Sequence, residues 1–168
     1  MTSLAVLAGF FLASGMAASS GAIFRPGPWY YQELRKPPWT PPPWLFAPAW
    51  TVLYITMSVA AWLVWREGGV TGMAGIALAV FLGHLVLNAI WSWLFFGRER
   101  PDLAFLELIL LWSGVLACVL LFWSVRPVAG AIMLPYLAWV TFAGALNLRI
   151  WQLNPRSRGR GSGAGRAG

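Results

Sequence analysis

Aromatic and amide side chains recur at helical spacing in three apolar stretches of the chain. The three sets are Trp50 with Tyr54, Asn88 with Trp91, and Trp139 with Ala143 and Asn147. Residues three or four apart share one face of a helix, so each stretch would present one such stripe. Aromatic walls with a few polar groups are typical of pockets for apolar small molecules. The spacing therefore predicts a ligand pocket, although tryptophan belts at the membrane surface and asparagine bonds between helices would explain the same residues.

Side chains for acid–base or nucleophilic catalysis are scarce. The chain has one histidine, His84, and one cysteine, Cys118. The sequence offers no Ser/His/Asp set, paired carboxylate or Cys/His cluster, so we expect no metal site and no required cofactor. We expect His84 to be neutral and hydrogen-bonded inside the protein, with proton relay or metal binding as the alternatives. Any reaction would have to use the reactivity of the ligand itself.

Two charged residues fall near the ends of apolar stretches. Glu107 lies roughly one helical turn inside the fourth stretch, and Arg149 lies roughly one turn before the end of the fifth. Both positions lie toward the same side of the bilayer. We predict an ion pair, Glu107–Arg149, that locks these two helices together; the alternative is that each side chain reaches separately to the membrane surface.

Composition identifies the class of protein. Hydrophobic residues make up 59% of the chain and charged residues 10%, with a mean hydropathy of +0.67, whereas soluble domains carry roughly 25% charged residues. Five apolar runs have about the 20 residues that a helix needs to cross a bilayer core. They lie near residues 4–24, 45–65, 73–96, 103–123 and 131–151. Lipid leaves backbone groups without water, so the sequence predicts an all-α membrane protein, a bundle of five transmembrane helices within one membrane domain over residues 1–154.

The connection between the first two spans, residues 25–44, is rich in proline and tryptophan. Proline fixes the backbone, and tryptophan supplies a large apolar ring with one polar group. We therefore expect this first loop to form a stiff aromatic lid. The other connections are short, so consecutive helices should be antiparallel.

The distribution of basic residues predicts the orientation in the membrane. Two Lys/Arg residues fall on the side of the N-terminus and ten on the side of the first loop and the C-terminus. The positive-inside rule then places the first loop and the C-terminus in the cytoplasm, without naming the host membrane. Residues 155–168 are predicted to be a disordered basic tail that contacts anionic lipids. Nucleic-acid binding is not expected, because the basic run is short and has no aromatic residues for stacking.

Small residues recur at every fourth position on two helices. Helix one carries Gly9, Ala13, Ala17 and Gly21, and helix three carries Gly75, Ala79 and Gly83. Such stripes let helices approach closely, so one can serve packing within the chain and the other a dimer. Pro135, in the body of helix five, predicts a kink or a loosened backbone bond.

Four ordered motifs resemble the tryptophan-rich sensory protein/translocator protein family (TspO/MBR, also called the peripheral benzodiazepine receptor family). The first is Trp29-Tyr30 followed by residues 34–44 and 48–54; the others are Leu87-Asn88 with Trp91 and Phe95-Phe96-Gly97, Leu134-Pro-Tyr-Leu-Ala-Trp139, and Leu146-Asn147. The resemblance implies a five-helix bundle whose first loop caps a cavity. It also implies porphyrins, sterols or benzodiazepine-type compounds as ligands.

The resemblance further implies roles for individual residues. The implied cavity set is Trp39, Trp50, Tyr54, Asn88, Trp91, Trp139, Ala143 and Leu146, to which the stripe adds Asn147. Dimerisation through helix three would use Gly75, Ala79 and Gly83. Light-dependent porphyrin degradation, known for some bacterial members, would involve Trp29 and Trp139.

The expected function is thus that of an integral membrane protein that binds, and transports, flat hydrophobic ligands, with tetrapyrroles first, in a regulatory or stress-linked role. Arg35 and Lys36 would meet the ligand's carboxylates. The alternatives are a light-dependent porphyrin-degrading enzyme and a sterol-binding translocator. Leu148 stands where the family's sterol pattern has tyrosine, which counts against sterol, and His84 stands where the family commonly has glutamine.

Overall fold

The computed structural model describes residues 2–155 as a bundle of five long helices without strands. The helices are α1 (Ser3–Ile23), α2 (Pro43–Gly68), α3 (Gly72–Ser92), α4 (Pro101–Val125) and α5 (Pro127–Leu153). Two π-helical turns accompany them, Trp29–Glu33 in the first loop and Trp93–Gly97 at the end of α3. All five helices are long and apolar enough to cross a membrane, which confirms the predicted fold class.

The helices begin earlier than the apolar runs suggested. Pro43, Pro101 and Pro127 each stand in the first turn of a helix, where the missing N–H of proline has no intrahelical partner to lose and its φ suits the helix. Only Arg126 separates α4 from α5. Gly130 permits this tight connection, because a Cβ there would lie 2.7 Å from the backbone of Trp123.

Around the bundle the order of neighbours is α1, α2, α5, α4 and α3, and α3 packs back onto α1. The core is apolar and tightly filled. Its fully enclosed side chains include Met57, Val64, Phe81, Val115, Phe122 and Met133. α5 continues through Pro135 as a single helix.

The two small-residue stripes have different surroundings. On α1, Ala17 is buried and Ala13 packs against the core, so that stripe serves packing within the chain. On α3, Gly75 is also used internally, since a Cβ there would lie 2.3 Å from the carbonyl oxygen of Val70. Ala79 and Gly83 are exposed on the outer face of α3, and no described atom lies within 4 Å of a Cβ built on Gly83.

The predicted Glu107–Arg149 ion pair is wrong. Glu107 is 8% exposed, and its carboxylate oxygens accept no hydrogen bond from any residue in the range 2–155. Arg149 is exposed and donates to Gln152 Oε1 at 3.1 Å. Side chains two residues apart point to roughly opposite sides of a helix, so Arg149 faces outward because Asn147 faces inward. The predicted basic tail lies outside the described residues, apart from Pro155.

Candidate ligand cavity

A cavity of about 490 Å³ lies among the loop-side halves of the five helices and beneath the first loop. This volume is within the range of about 300–1,000 Å³ that small-molecule sites occupy. Every helix contributes to its lining, as does the π-helical turn of the first loop through Tyr30. The lining includes eight of the nine residues predicted for the ligand site: Trp50, Tyr54, Asn88, Trp91, Trp139, Ala143, Leu146 and Asn147. The spacing argument therefore located the cavity, while ligand contact by these residues stays a prediction.

Trp39 and Trp29 lie one layer behind the lining. Trp39 is 47% exposed and packs edge-on against Phe142, with ring centroids 5.9 Å apart. Trp29 packs edge-on against Phe95 at 6.0 Å. Phe142 and Phe95 themselves face the cavity. The two tryptophans therefore support the walls from outside.

The walls are built from stacked aromatic pairs. On α2, Trp50 stacks on Tyr54 with ring centroids 5.5 Å apart. At the end of α3, Trp91 stacks on Phe95 with ring centroids 5.1 Å apart. Trp139 on α5 meets Trp50 edge-on at 6.4 Å. Offset stacks and edge contacts are the favoured aromatic geometries, so these rings hold one another in place.

Asn88 braces three helices at the inner end of the cavity. Tyr54 on α2 donates its hydroxyl hydrogen to Asn88 Oδ1, and Asn88 Nδ2 donates to the hydroxyl oxygen of Tyr136 on α5 at 3.0 Å. Tyr136 is fully buried. The sequence analysis missed it, although its position three residues before Trp139 places it on the same helix face.

Asn147 likewise joins helices through its amide, nearer the first loop. Its Oδ1 accepts from Trp91 Nε1 at 3.3 Å, and its Nδ2 donates to the carbonyl oxygen of Pro101 at 2.7 Å. The amide thereby fixes an indole of the cavity wall and the start of α4. Both asparagines line the cavity, yet their hydrogen bonds go to the protein, so they shape the walls as well as offering polar groups.

The first loop is fastened over the cavity by polar contacts. Asn154, just beyond α5, accepts from the Arg35 backbone N–H at 3.1 Å and donates to the Arg35 carbonyl at 2.9 Å. Lys36 Nζ donates to the Tyr30 carbonyl at 2.6 Å and lies 4.2 Å from the centre of the Tyr30 ring. Burial lowers the pKa of Lys36. The pKa of Tyr30 is raised, mainly by burial and to a smaller extent by the nearby Tyr31.

His84 lies deeper in the bundle and outside the cavity lining. Its Nδ1 contacts the Phe81 carbonyl oxygen, which agrees with the predicted hydrogen bond inside the bundle. Cys118 Sγ is 3.8 Å from the same nitrogen, and Nε2 has no hydrogen-bond partner among the described residues. Residues 2–155 contain no cluster of three His, Cys, Asp or Glu side chains with the geometry to hold a metal ion.

Comparison with known proteins agrees with this architecture. The model of the TspO/MBR family matches residues 2–152. The chain belongs to the TspO/MBR family. It is 44% identical over 153 residues to Protein CrtK of Rhodobacter capsulatus, with 91% of this chain and 95% of that protein covered.

Other TspO/MBR relatives come from distant organisms. The chain is 41% identical to the tryptophan-rich protein TspO of Chlorobaculum tepidum, covering 90% of this chain and 96% of that protein. It is 36% identical to the Translocator protein of Homo sapiens, covering 90% and 91%. The family and the five spans together make it an integral multi-pass membrane protein.

Proposed function

We propose that this TspO/MBR protein binds flat, largely apolar ligands in the cavity, with tetrapyrroles as the first ligand class. The observation that carries the proposal is a single cavity lined by two stacked pairs, Trp50–Tyr54 and Trp91–Phe95. A planar macrocycle can bury its apolar faces against such rings. Each Å² of apolar surface removed from water contributes about 25 cal/mol, so most of the binding energy would come from this burial.

The first loop, which forms the roof of the cavity, carries cations that would pair with the carboxylates of a tetrapyrrole. Lys36 and Arg35 are adjacent in the first loop, and the Lys36 ammonium already lies against Tyr30, a residue of the cavity lining. A carboxylate offers this ammonium a stronger, charge-assisted acceptor than the Tyr30 carbonyl. Release and re-binding on the other side of the membrane would make the protein a transporter, and a ligand-dependent signal would make it a regulator.

Quenching of tryptophan fluorescence by protoporphyrin tests the binding. We expect saturable quenching of the wild-type protein and weaker binding by Trp139→Phe, which removes indole surface from the cavity. Asn88→Ala should weaken binding about fivefold, since loss of one hydrogen bond that places Tyr54 costs about 1 kcal/mol. Trp123→Phe is the matched control, because Trp123 is 48% exposed near the opposite end of α4. Equal affinities in all four proteins would contradict the assignment of this cavity.

Light-dependent degradation of a bound porphyrin is the second candidate function. It is favoured by the position of Trp139, whose indole lines the cavity. Trp29 stands behind Phe95, so its part would be to exchange electrons through that ring. Illumination of the complex should then consume porphyrin more slowly in Trp139→Phe than in Trp29→Phe. Equal loss in both variants and the wild type would exclude a role for either indole.

We infer two further properties of the whole protein. The exposed stripe of Ala79 and Gly83 on α3 supports a homodimer through this helix, while Gly75 contributes only to the fold of its own chain. The ten basic residues on the side of the first loop and C-terminus support a cytoplasmic position for both, with the tail against anionic lipids.

A further inference from the structure

The lining of the cavity is unevenly exposed. Lining residues on α3, α4 and α5 such as Ser92, Leu111 and Leu146 are buried, although they face the cavity. Lining residues on the neighbouring ends of α1 and α2 are instead exposed, among them Gly21, Ala22, Ala47 and Thr51, and so are Pro43 and Tyr31 beside them. Because all of them share one cavity, the additional exposure comes from outside the bundle. The uneven exposure indicates an open side of the cavity, a gap between the loop-side ends of α1 and α2.

The contacts of α1 explain this gap. At the end far from the first loop, α1 is joined to α2 by Ser14 and Ser58, whose hydroxyl oxygens are 2.8 Å apart, and by Trp62 Nε1 donating to Ser3. At the loop end, α1 leans toward the end of α3. A Cβ on Gly97 would lie 2.8 Å from the Phe24 ring. Among the described residues, the hydrogen bonds between α1 and α2 thus lie in the middle and at the far end, whereas the loop end of α1 packs against the end of α3.

The first loop, in contrast, is attached to α5, away from α1 and α2. The double hydrogen bond between Asn154 and Arg35 attaches the first loop to the end of α5, and Trp39 packs on Phe142 of the same helix. Lifting the first loop from α5 to admit a ligand from water would break these contacts. A ligand entering through the gap would break none of them.

We propose that the gap between α1 and α2 is a lateral portal through which the ligand passes between the cavity and the bilayer leaflet on the side of the first loop. The proposal rests on the ligand-binding function proposed above. Thr51 lies eight residues after Pro43, which is about 12 Å along the axis of α2. The portal therefore extends from the interface into the hydrocarbon region, where a flat apolar molecule dissolves. Glycine and alanine at its border leave room for a planar ring.

Covalent closure of the portal tests this route. The variant carries Ala22→Cys and Ala47→Cys, together with Cys118→Ala to remove the native thiol. It is reconstituted in phosphatidylcholine nanodiscs. A bis-maleimide then bridges the two cysteines before protoporphyrin is added. Stopped-flow quenching gives the rates of binding and release. We expect both rates to fall about tenfold or more while Kd stays within about twofold, because blocking a route changes the barrier and leaves the bound state intact. Thr51→Trp, which enlarges an exposed side chain of α2 at the border of the gap, should also slow both rates.

Controls separate the portal from the roof and from the binding function. The bridged protein is compared with the same variant before bridging, and Asn154→Ala, which releases the first loop, should keep wild-type rates. Unchanged rates in the bridged protein and in Thr51→Trp would overturn the portal, and faster binding by Asn154→Ala would then place entry at the first loop. Absence of saturable quenching in the wild type would instead overturn the binding function, and the portal with it.

Discussion

The amide of Asn88 lies between two phenols, Tyr54 on α2 and Tyr136 on α5, and each of its two polar atoms bonds to one of them. An amide that bonds in this way fixes the rotation of its neighbours before any ligand arrives. Pre-organised walls lower the entropy cost of binding. In the proposed binding function, polar side chains of this cavity thus contribute to affinity through the aromatic residues they hold.

Tyr136→Phe tests this brace. The change leaves Asn88 Nδ2 without its buried acceptor, so we expect stability to fall by about 1–3 kcal/mol and protoporphyrin binding to weaken. Thermal unfolding in detergent and quenching titrations measure the two effects. Tyr31→Phe is the control, because the Tyr31 side chain is 54% exposed at the cavity. Equal effects in both variants would show that the hydroxyl of Tyr136 has no special role.

Glu107 is a buried carboxyl whose oxygens bond to no described residue. Burial of a polar group without a partner destabilises a fold, so Glu107→Met should raise the free energy of unfolding by about 1–3 kcal/mol. Arg149→Met should have little effect, since Arg149 is exposed. Thermal unfolding of the two variants in one detergent measures this difference. A matched loss of stability in both would instead restore the ion pair.

Whole helices are placed by close approaches that only small residues permit. Gly75 allows α3 to turn back against Val70, and Gly130 allows α5 to fold directly onto the end of α4. Neither glycine has a positive φ, so the reason for glycine at these positions is space and not backbone conformation. The short connections predicted from the sequence depend on these two positions.

Gly75→Ala should therefore destabilise the protein. Its Cβ would lie 2.3 Å from the Val70 carbonyl oxygen, so the backbone must shift, at a cost of about 1–3 kcal/mol. Gly83→Ala on the same helix is the control. No described atom lies within 4 Å of its new Cβ, and alanine favours helix over glycine by up to about 1 kcal/mol. Thermal unfolding should show lower stability than the wild type for Gly75→Ala and higher stability for Gly83→Ala. A Gly75→Ala variant as stable as the wild type would contradict this packing.

The outer surface of the helix bundle is suited to contact with lipid, and one part of it is suited to contact with a second copy of the chain. Exposed apolar side chains cover it, among them Leu12, Met16, Ile76, Val86 and Leu110. Within that surface the stripe of Ala79 and Gly83 is the place where a partner helix can approach α3 closely.

The proposed homodimer through α3 predicts that Gly83→Phe shifts the protein from dimer to monomer, because a ring on the stripe would hold two α3 helices apart. Leu12→Phe, on the lipid-facing side of α1, should leave the assembly unchanged. Light scattering of the purified protein in detergent and cross-linking in native membranes report the oligomeric state. A dimer that survives Gly83→Phe would place the interface elsewhere.

Composition and periodicity alone determined the class of this protein, its five spans and the three stripes that meet at the cavity. These properties are local: an apolar run of bilayer length must be a helix, and residues four apart must share a face. The rotation of each helix about its axis is not local, because it depends on how all neighbouring surfaces pack. For this reason the fold alone settled that Arg149 faces away from Glu107, that the asparagines brace the aromatic walls, and that the exposed part of the cavity lining lies on α1, α2 and the first loop.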